Sequence, residues 1–343
     1  MNKIKLILIV LLTISITACF PSNNSAKKEI LLQGSTMGTL YNIKVVATPE
    51  QVVALKLQTK IDVALKQVNQ EMSTYLSDSE ISRFNDSVST EPVAVSTGFA
   101  RVLRESIRLG ELSGGKLDIT IGPMVNLWGF GPEQHPETVP SNEMLAKTLS
   151  QIGLKHIHLS GNKLSKDIPN IHIDLSTTAK GYGVDVIAEL IEANGIVNYL
   201  VEIGGEMRLK GFKHTGELWA VAIEKPIVDG TGEQRAVYQV IIPKDNAVAT
   251  SGDYRNYFEA DGQRFSHIID PDTGKPINHN LVSVTVIDPS SMTADGLSTT
   301  LMVMGVKQGM KFAKENDIAA LFISKTDYGF SDKFTVKFKQ YLK

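Results

Sequence analysis

The sequence contains a single cysteine, Cys19, in 343 residues. No intramolecular disulfide can staple the fold, and no cysteine-based zinc site can form. An excess of one charge is also missing. Lys and Arg number 35 against 37 Asp and Glu, a formal net charge of −2 with a pI of about 6.4, which excludes the basic footprint of a nucleic-acid-binding protein. There is no Walker A motif, no G-x-G-x-x-G after a strand and no H-E-x-x-H helix. His156 and His158 are two apart with no carboxylate nearer than Asp167, a spacing that suits surface or core histidines better than zinc ligands.

The N-terminus carries the first positive signal. Lys3 and Lys5 accompany an apolar stretch from Ile4 to Ile16, and Thr17-Ala18 places small residues just before Cys19. Residues 1–18 are therefore expected to be a signal peptide; the stretch is shorter than the roughly 20 apolar residues a membrane span requires. A lone cysteine at this point resembles the lipobox of bacterial lipoproteins, so Cys19 is the expected lipidation site. Residues 19–29 are polar and read as a flexible tether. Residues 30–343 contain no repeat and no linker-like break, and are long enough for one compact domain with a sizeable core.

Within that domain, apolar periods of two and of 3.6 residues interleave irregularly. Residues 31–47 read as a strand or hairpin, and 49–75, 97–113 and 142–152 as helices, the last with Ser141 as N-cap. A second hairpin is expected at 156–168. Strands are expected at 199–203, 219–223, 237–242, 248–251, 254–259, 265–269, 282–287, 319–323 and 334–338, and helix at 292–304 and 310–315. Residues 117–130 are apolar but interrupted by Gly122-Pro123, which predicts a strand or turn. The expected class is α+β: mixed, largely antiparallel sheets flanked by helices.

Three stretches carry candidate chemistry. Residues 171–185, IHIDLSTTAKGYGVD, begin with the strand-like alternation Ile171, Ile173, Leu175. They pass through a turn of small residues, Ser176 to Ala179, and become helical from Val184. A strand ending in Asp174, a hydroxyl-rich turn and a helix start place backbone N–H groups and Lys180 where an anion could sit; an ordinary β-turn-α connection fits the same pattern. Asp295 and Thr299, four apart at a helix start, project from one face. They offer the oxygen ligands that Mg²⁺ and Ca²⁺ prefer, although a carboxylate that merely favours the helix dipole would look the same. His267 lies between a strand and the turn at Pro271, where it could act as a general base. Asp270 and Asp272 read as turn residues around Pro271 and Gly274.

Taken together, these blocks resemble one family. Thr36-Met37-Gly38-Thr39, Ser73-Thr74-Tyr75, Arg83-Phe84-Asn85-Asp86, Lys116 to Pro123 (KLDITIGP) and Asn126 to Gly131 (NLWGFG) come first. Asp174 to Gly181 (DLSTTAKG), Gly204-Gly205-Glu206, Ser251 to Arg255 (SGDYR), Ser266 to Pro271 (SHIIDP) and Ala294-Asp295 with Thr299 follow in order. The chain is similar over nearly its whole length beyond the expected signal peptide to the ApbE-type FAD:protein FMN transferases, and the lipobox suits that family.

The resemblance implies that the protein takes FAD, cleaves its pyrophosphate and moves FMN to a threonine hydroxyl of an acceptor protein, releasing AMP. It implies acceptors that are respiratory complex subunits of the sodium-pumping NADH:quinone reductase and Rnf types, and a lipid-anchored location on the periplasmic side of the inner membrane. Mg²⁺ would be held by Asp295, Thr299 and the Thr177 carbonyl, and His267 would be the base. Some relatives carry an acidic residue where this chain has Ser298. FAD would contact Met37 and Tyr75 through its rings, and Lys116, Leu117, Asp118, Asp174, Lys180 and Ile269 elsewhere. Two other functions compete: a Mg²⁺-dependent FAD pyrophosphatase giving FMN and AMP, and a periplasmic flavin-binding lipoprotein without turnover. A pure binder needs neither the oxygen ligands nor the base.

Overall fold

Alternating apolar residues build an eight-stranded sheet from β1 (Lys28–Thr36), β2 (Thr39–Ala47), β3 (Tyr199–Ile203), β4 (Glu206–Lys210), β5 (Ala247–Gly252), β6 (Leu281–Asp288), β7 (Ala319–Thr326) and β8 (Gly329–Phe334). The computed structural model describes residues 26–131, 139–226, 236–253, 257–260 and 263–343. The expected signal peptide, Cys19, most of the tether, most of the loop at 131–140 and the motif residues Tyr254 and Arg255 lie outside the described residues. The strands lie side by side in chain order, and each neighbouring pair is antiparallel. The sheet is a meander whose long insertions carry the helices and several small ribbons.

Strand β7 shows how both faces are covered. Ala320 and Phe322 enter the core under the helices, while Ala319, Leu321 and Ile323 join Trp219, Val221 and Phe338 in a second core, the alternation a pleated strand imposes. The second core includes a ribbon formed by Val221–Glu224 and Val237–Ile241.

The helical layer contains α1 (Leu57–Met72), α2 (Thr97–Leu112), α3 (Ser176–Ala193) and α4 (Ser291–Glu315), the last interrupted at Gly305. Helices α3 and α4 meet closely because of Gly181, where a Cβ would lie 2.3 Å from the Ser291 carbonyl oxygen. Asp185 of α3 is fully buried. It accepts from Ser290 Oγ (2.7 Å), Ser291 N (3.0 Å) and Met292 N (3.1 Å), and from Arg208 Nη1 on β4 (2.9 Å). One carboxylate thus satisfies N–H groups that a helix start leaves open and locks α4 to α3 and the sheet.

A smaller unit sits beside this frame. The helices Gly122–Leu127 and Asn142–Leu149 pack with two ribbons, Tyr257–Ala260 with Gln263–Ser266 and Ile269–Asp270 with Lys275–Pro276. Met124, Trp128, Leu145, Phe258 and Ile269 form its core.

The α+β class, the first hairpin and the Ser141 cap, whose Oγ accepts from Met144 N at 3.2 Å, agree with expectation. Several elements differ. The helix expected over 49–75 is split at Lys56, in the left-handed region (φ 49°), into Pro49–Ala54 and α1. Gly122-Pro123 starts a short helix instead of breaking a strand, since proline in a first turn gives up an N–H that would have no helical partner. Residues 171–175 form no strand: Asn85 Oδ1 accepts from Ile173 N (2.8 Å) and Asn85 Nδ2 donates to Ile173 O (2.9 Å), supplying the bonds that a neighbouring strand would have made. Helix α3 begins at Ser176, so the expected hydroxyl-rich turn is its first turn. Strand β8 ends at Phe334, and Val336–Tyr341 is a 3₁₀ helix where strand was expected. Strand β4 and the helix Glu80–Asp86 were not anticipated.

Candidate active site

A cavity of about 430 Å³ opens between the main frame and the smaller unit, within the size range of small-molecule sites. The frame contributes a polar wall. Thr177 and Lys180 come from the first turns of α3, Asp295 and Thr299 from α4, Thr250 and Ser251 from β5, and Glu206 from the start of β4. Glu206 follows the turn at Gly204-Gly205, where φ values of 60° and 108° suit glycine and few other residues.

Hydrogen bonds fix this wall. Gly181 N, which in a regular helix points at the Thr177 carbonyl, donates to Asp295 Oδ2 at 2.9 Å. Ser251 Oγ lies 2.7 Å from Ser298 Oγ and 2.9 Å from Thr299 Oγ1, and Ser298 Oγ donates to the Asp295 carbonyl at 2.9 Å. Ser298 is thus tied into the hydroxyl cluster behind Asp295. Lys180 Nζ donates to Glu206 Oε1 at 2.8 Å. Glu206 is 3 % exposed, and its Oε2 is buried with no hydrogen-bond partner in the protein.

Burial, and then the nearby Glu206 carboxylate, push the Asp295 carboxyl up to about 8. Burial also raises Glu206, against the opposing pull of Lys180. Burial works against the Lys180 charge as well, but Glu206 and Asp295 outweigh it and its pKa is raised. Lys180 thus holds the Glu206 carboxyl directly and lies within electrostatic reach of Asp295.

The smaller unit provides the opposite wall. His267 joins its two ribbons and lies edge-on to Phe130, with ring centroids 6.3 Å apart. Behind it Phe258 stacks on Phe265 (5.1 Å), and Trp128 lies 5.4 Å from Phe265. Trp128 Nε1 donates to Gly274 O at 2.8 Å, closing the turn that follows His267. Asp270 shapes that turn, accepting through its carbonyl from Thr273 N and Gly274 N. Lys116 Nζ reaches across to Asp270 Oδ1 (3.0 Å) and Asp272 Oδ2 (2.7 Å).

Tyr75, Lys116, Leu117, Asp118, Asp174, Thr177, Lys180, His267, Ile269, Asp295 and Thr299 all line this cavity. Met37 does not. Its backbone is left-handed (φ 50°) at the tip of the β1–β2 hairpin, and its side chain turns onto the core, against Gly183 of α3. Three of the lining groups already have partners in the protein. Asp118 accepts from Thr120 N and Oγ1 (2.8 and 2.6 Å) and from Leu154 N (3.3 Å), Asp174 Oδ1 accepts from Ser176 N (2.8 Å), and Lys116 is held by the two aspartates. Tyr75 is 76 % exposed at the rim, a placement suited to covering a flat ring. The sequence contained Glu206 only as the end of a motif; a charged residue directly after Gly-Gly was the signal that it faces a site.

The ApbE family model matches residues 37–322. This chain belongs to the ApbE family. A Vibrio cholerae protein named FAD:protein FMN transferase is 55 % identical over 315 residues, spanning 92 % of this chain and 93 % of that protein. A protein of the same name from Haemophilus influenzae is 46 % identical over 97 % of this chain and 96 % of its own length. Among solved structures, the flavin transferase ApbE from Vibrio cholerae matches with a TM-score of 0.85 at 53 % identity, over 92 % of this chain and all of that one. The apo flavinyl transferase ApbE of Pseudomonas stutzeri matches with a TM-score of 0.84 at 37 % identity, over 92 % of this chain and 97 % of its own. The family match spans both walls of the cavity.

A divalent cation fits the polar wall by its donor chemistry. Among the described residues no group of three or more His, Cys, Asp or Glu side chains forms a metal cage, so a cation here would draw on carboxylate, hydroxyl and carbonyl oxygens. Mg²⁺ is commonly held in that way, by one or two carboxylates together with substrate phosphates.

Proposed function

We propose that this protein transfers FMN from FAD to a threonine hydroxyl of an acceptor protein and releases AMP. The observation that carries the reading is the convergence of Tyr75, Asp118, Asp174, Lys180, His267, Asp295 and Thr299 on one cavity. The names of the relatives support the same reaction.

In this reading Tyr75 packs against a ring of FAD, Asp118 and Asp174 face its polar edges, and the pyrophosphate lies along the polar wall near Lys180. Asp295, Thr299 and the Thr177 carbonyl would hold Mg²⁺, which would neutralise phosphate charge and keep the phosphates in line. The acceptor threonine approaches from the side of His267. Its oxygen bonds to the FMN-side phosphorus while the bond from that phosphorus to the bridging oxygen breaks. The hydroxyl proton passes to a ring nitrogen of His267, and the electron pair leaves with AMP. The aromatic residues behind His267 shield this step from water, which would otherwise take the place of the threonine.

The acceptors we envisage are respiratory membrane-complex subunits of the sodium-pumping NADH:quinone reductase and Rnf types, reached by an enzyme lipidated at Cys19 on the periplasmic side of the inner membrane. Among the described residues no helix is long and apolar enough to cross a membrane. The test is to incubate the purified protein with FAD, Mg²⁺ and an acceptor domain and to read flavin fluorescence on the acceptor after denaturing electrophoresis. Labelling with stoichiometric AMP, lost on chelation and restored by Mg²⁺, is the expected result. FMN and AMP without labelling would make the protein an FAD pyrophosphatase, and unchanged FAD would make it a carrier.

A further inference from the structure

Glu206 stands apart from the residues discussed so far. It is buried, it lines the cavity, and only one of its carboxylate oxygens has a partner. A buried polar atom without a partner costs about 1–3 kcal/mol, more when the group is charged. Lys180 Nζ lies 2.8 Å from Glu206 Oε1, and the second buried carboxylate, Asp295, lines the same cavity. In a close-packed interior such an arrangement survives when a ligand supplies what the protein lacks.

We propose that Glu206 is a further oxygen donor to the divalent cation of this site, through the Oε2 that has no partner in the protein, and that the cation and Lys180 compete for this one carboxylate. The inference rests on the cation-dependent reading of the cavity and deepens it. Glu206 becomes the second carboxylate of a site whose helix offers Ser298 and Thr299 hydroxyls next to Asp295. The ammonium of Lys180 would hold Glu206 when the site is empty and turn to face the substrate phosphates when the cation takes its place.

The direct test measures Mn²⁺ binding to the purified full-length protein by electron paramagnetic resonance, without FAD or acceptor, so that no turnover enters the readout. Glu206→Gln keeps the shape and removes the charge, and should weaken Mn²⁺ binding on the order of 10- to 100-fold, the scale for groups supporting a metal site. Wild-type Mn²⁺ affinity in Glu206→Gln would overturn the proposal. Should that variant not fold, Lys180→Met decides: removing the competing ammonium should tighten Mn²⁺ binding, and unchanged or weaker binding would overturn it. A protein that binds Mn²⁺ through Glu206 yet never labels an acceptor would break the transfer reading and leave this one standing.

Discussion

The two walls of the cavity are built in different ways. The polar wall grows from α3, α4 and the middle of an eight-stranded sheet, and it is backed by the largest core of the molecule. The wall bearing His267 hangs on ribbons a few residues long and a small aromatic core of its own. The groups expected to handle phosphate and cation are held by the fold itself; the group expected to move the proton is held by a local cluster. Phosphate chemistry rewards a rigid wall, because preorganised charge acts without reorganising as the reaction proceeds. Proton transfer needs one side chain in place, and a smaller scaffold can provide that while leaving room for an incoming protein segment.

Substitutions can break this comparison or sharpen it. His267→Gly should show the largest effect, a fall in labelling rate of about 10²–10⁴-fold, the usual contribution of a general base. FAD binding and the thermal midpoint should stay near wild type, and a variant that labels at full rate would remove His267 from the mechanism. Asp185→Ala acts on the opposite wall. It removes the carboxylate that joins α3, α4 and Arg208, and breaking such a buried pair should cost about 3–5 kcal/mol in urea unfolding. A loss below about 1 kcal/mol, within the range of surface pairs, would mean that the rigid wall does not depend on this junction. Trp128→Phe keeps the aromatic packing but deletes the bond to Gly274, for a loss of about 1 kcal/mol. Labelling should slow while FAD affinity holds; a parallel fall in FAD affinity would show that the two walls are mechanically one. Tyr75→Ala is the mildest. At its exposed position stability should change by less than about 0.5 kcal/mol, while FAD affinity, read by fluorescence titration, should fall several-fold, the scale of a lost ring contact.

Much of the frame was legible because its elements announce themselves locally. Ser141 accepts from the N–H group of Met144, the capping that its position before an apolar periodic segment predicts. The start of α3 was hidden for the opposite reason. Its cap position is Leu175, which offers no side-chain bond, and its first turn is Ser, Thr, Thr and Ala, followed by Lys180 and by Gly181, where α4 runs against it. Such residues carry no apolar period, so the pattern looked like a turn. The alternation Ile171, Ile173, Leu175 looked like a strand and is a buried segment satisfied by a side chain, that of Asn85. Asp174, Lys180, His267, Asp295 and Thr299 stood out from their own sequence context, while Tyr75, Lys116, Leu117, Asp118, Thr177 and Ile269 were found through the likeness to a family, as was Met37, which packs inward. Asp185 owes its position to contacts between distant segments, which no local pattern encodes.

The meander has a further consequence for the order in which the molecule is made. Strands β2 and β3 are neighbours, with Val45 paired to Tyr199, although Tyr75, Asp118 and Lys180 all lie between them in the chain. Bringing such distant segments together costs closure entropy that grows slowly with length, and contacts of this range are the slow ones in folding. Asp295 and Thr299 arrive later still, on the last long helix. An unfinished chain therefore has Tyr75, Asp118 and Lys180 without Asp295 and Thr299, and the cavity is complete only when nearly the whole polypeptide has been made.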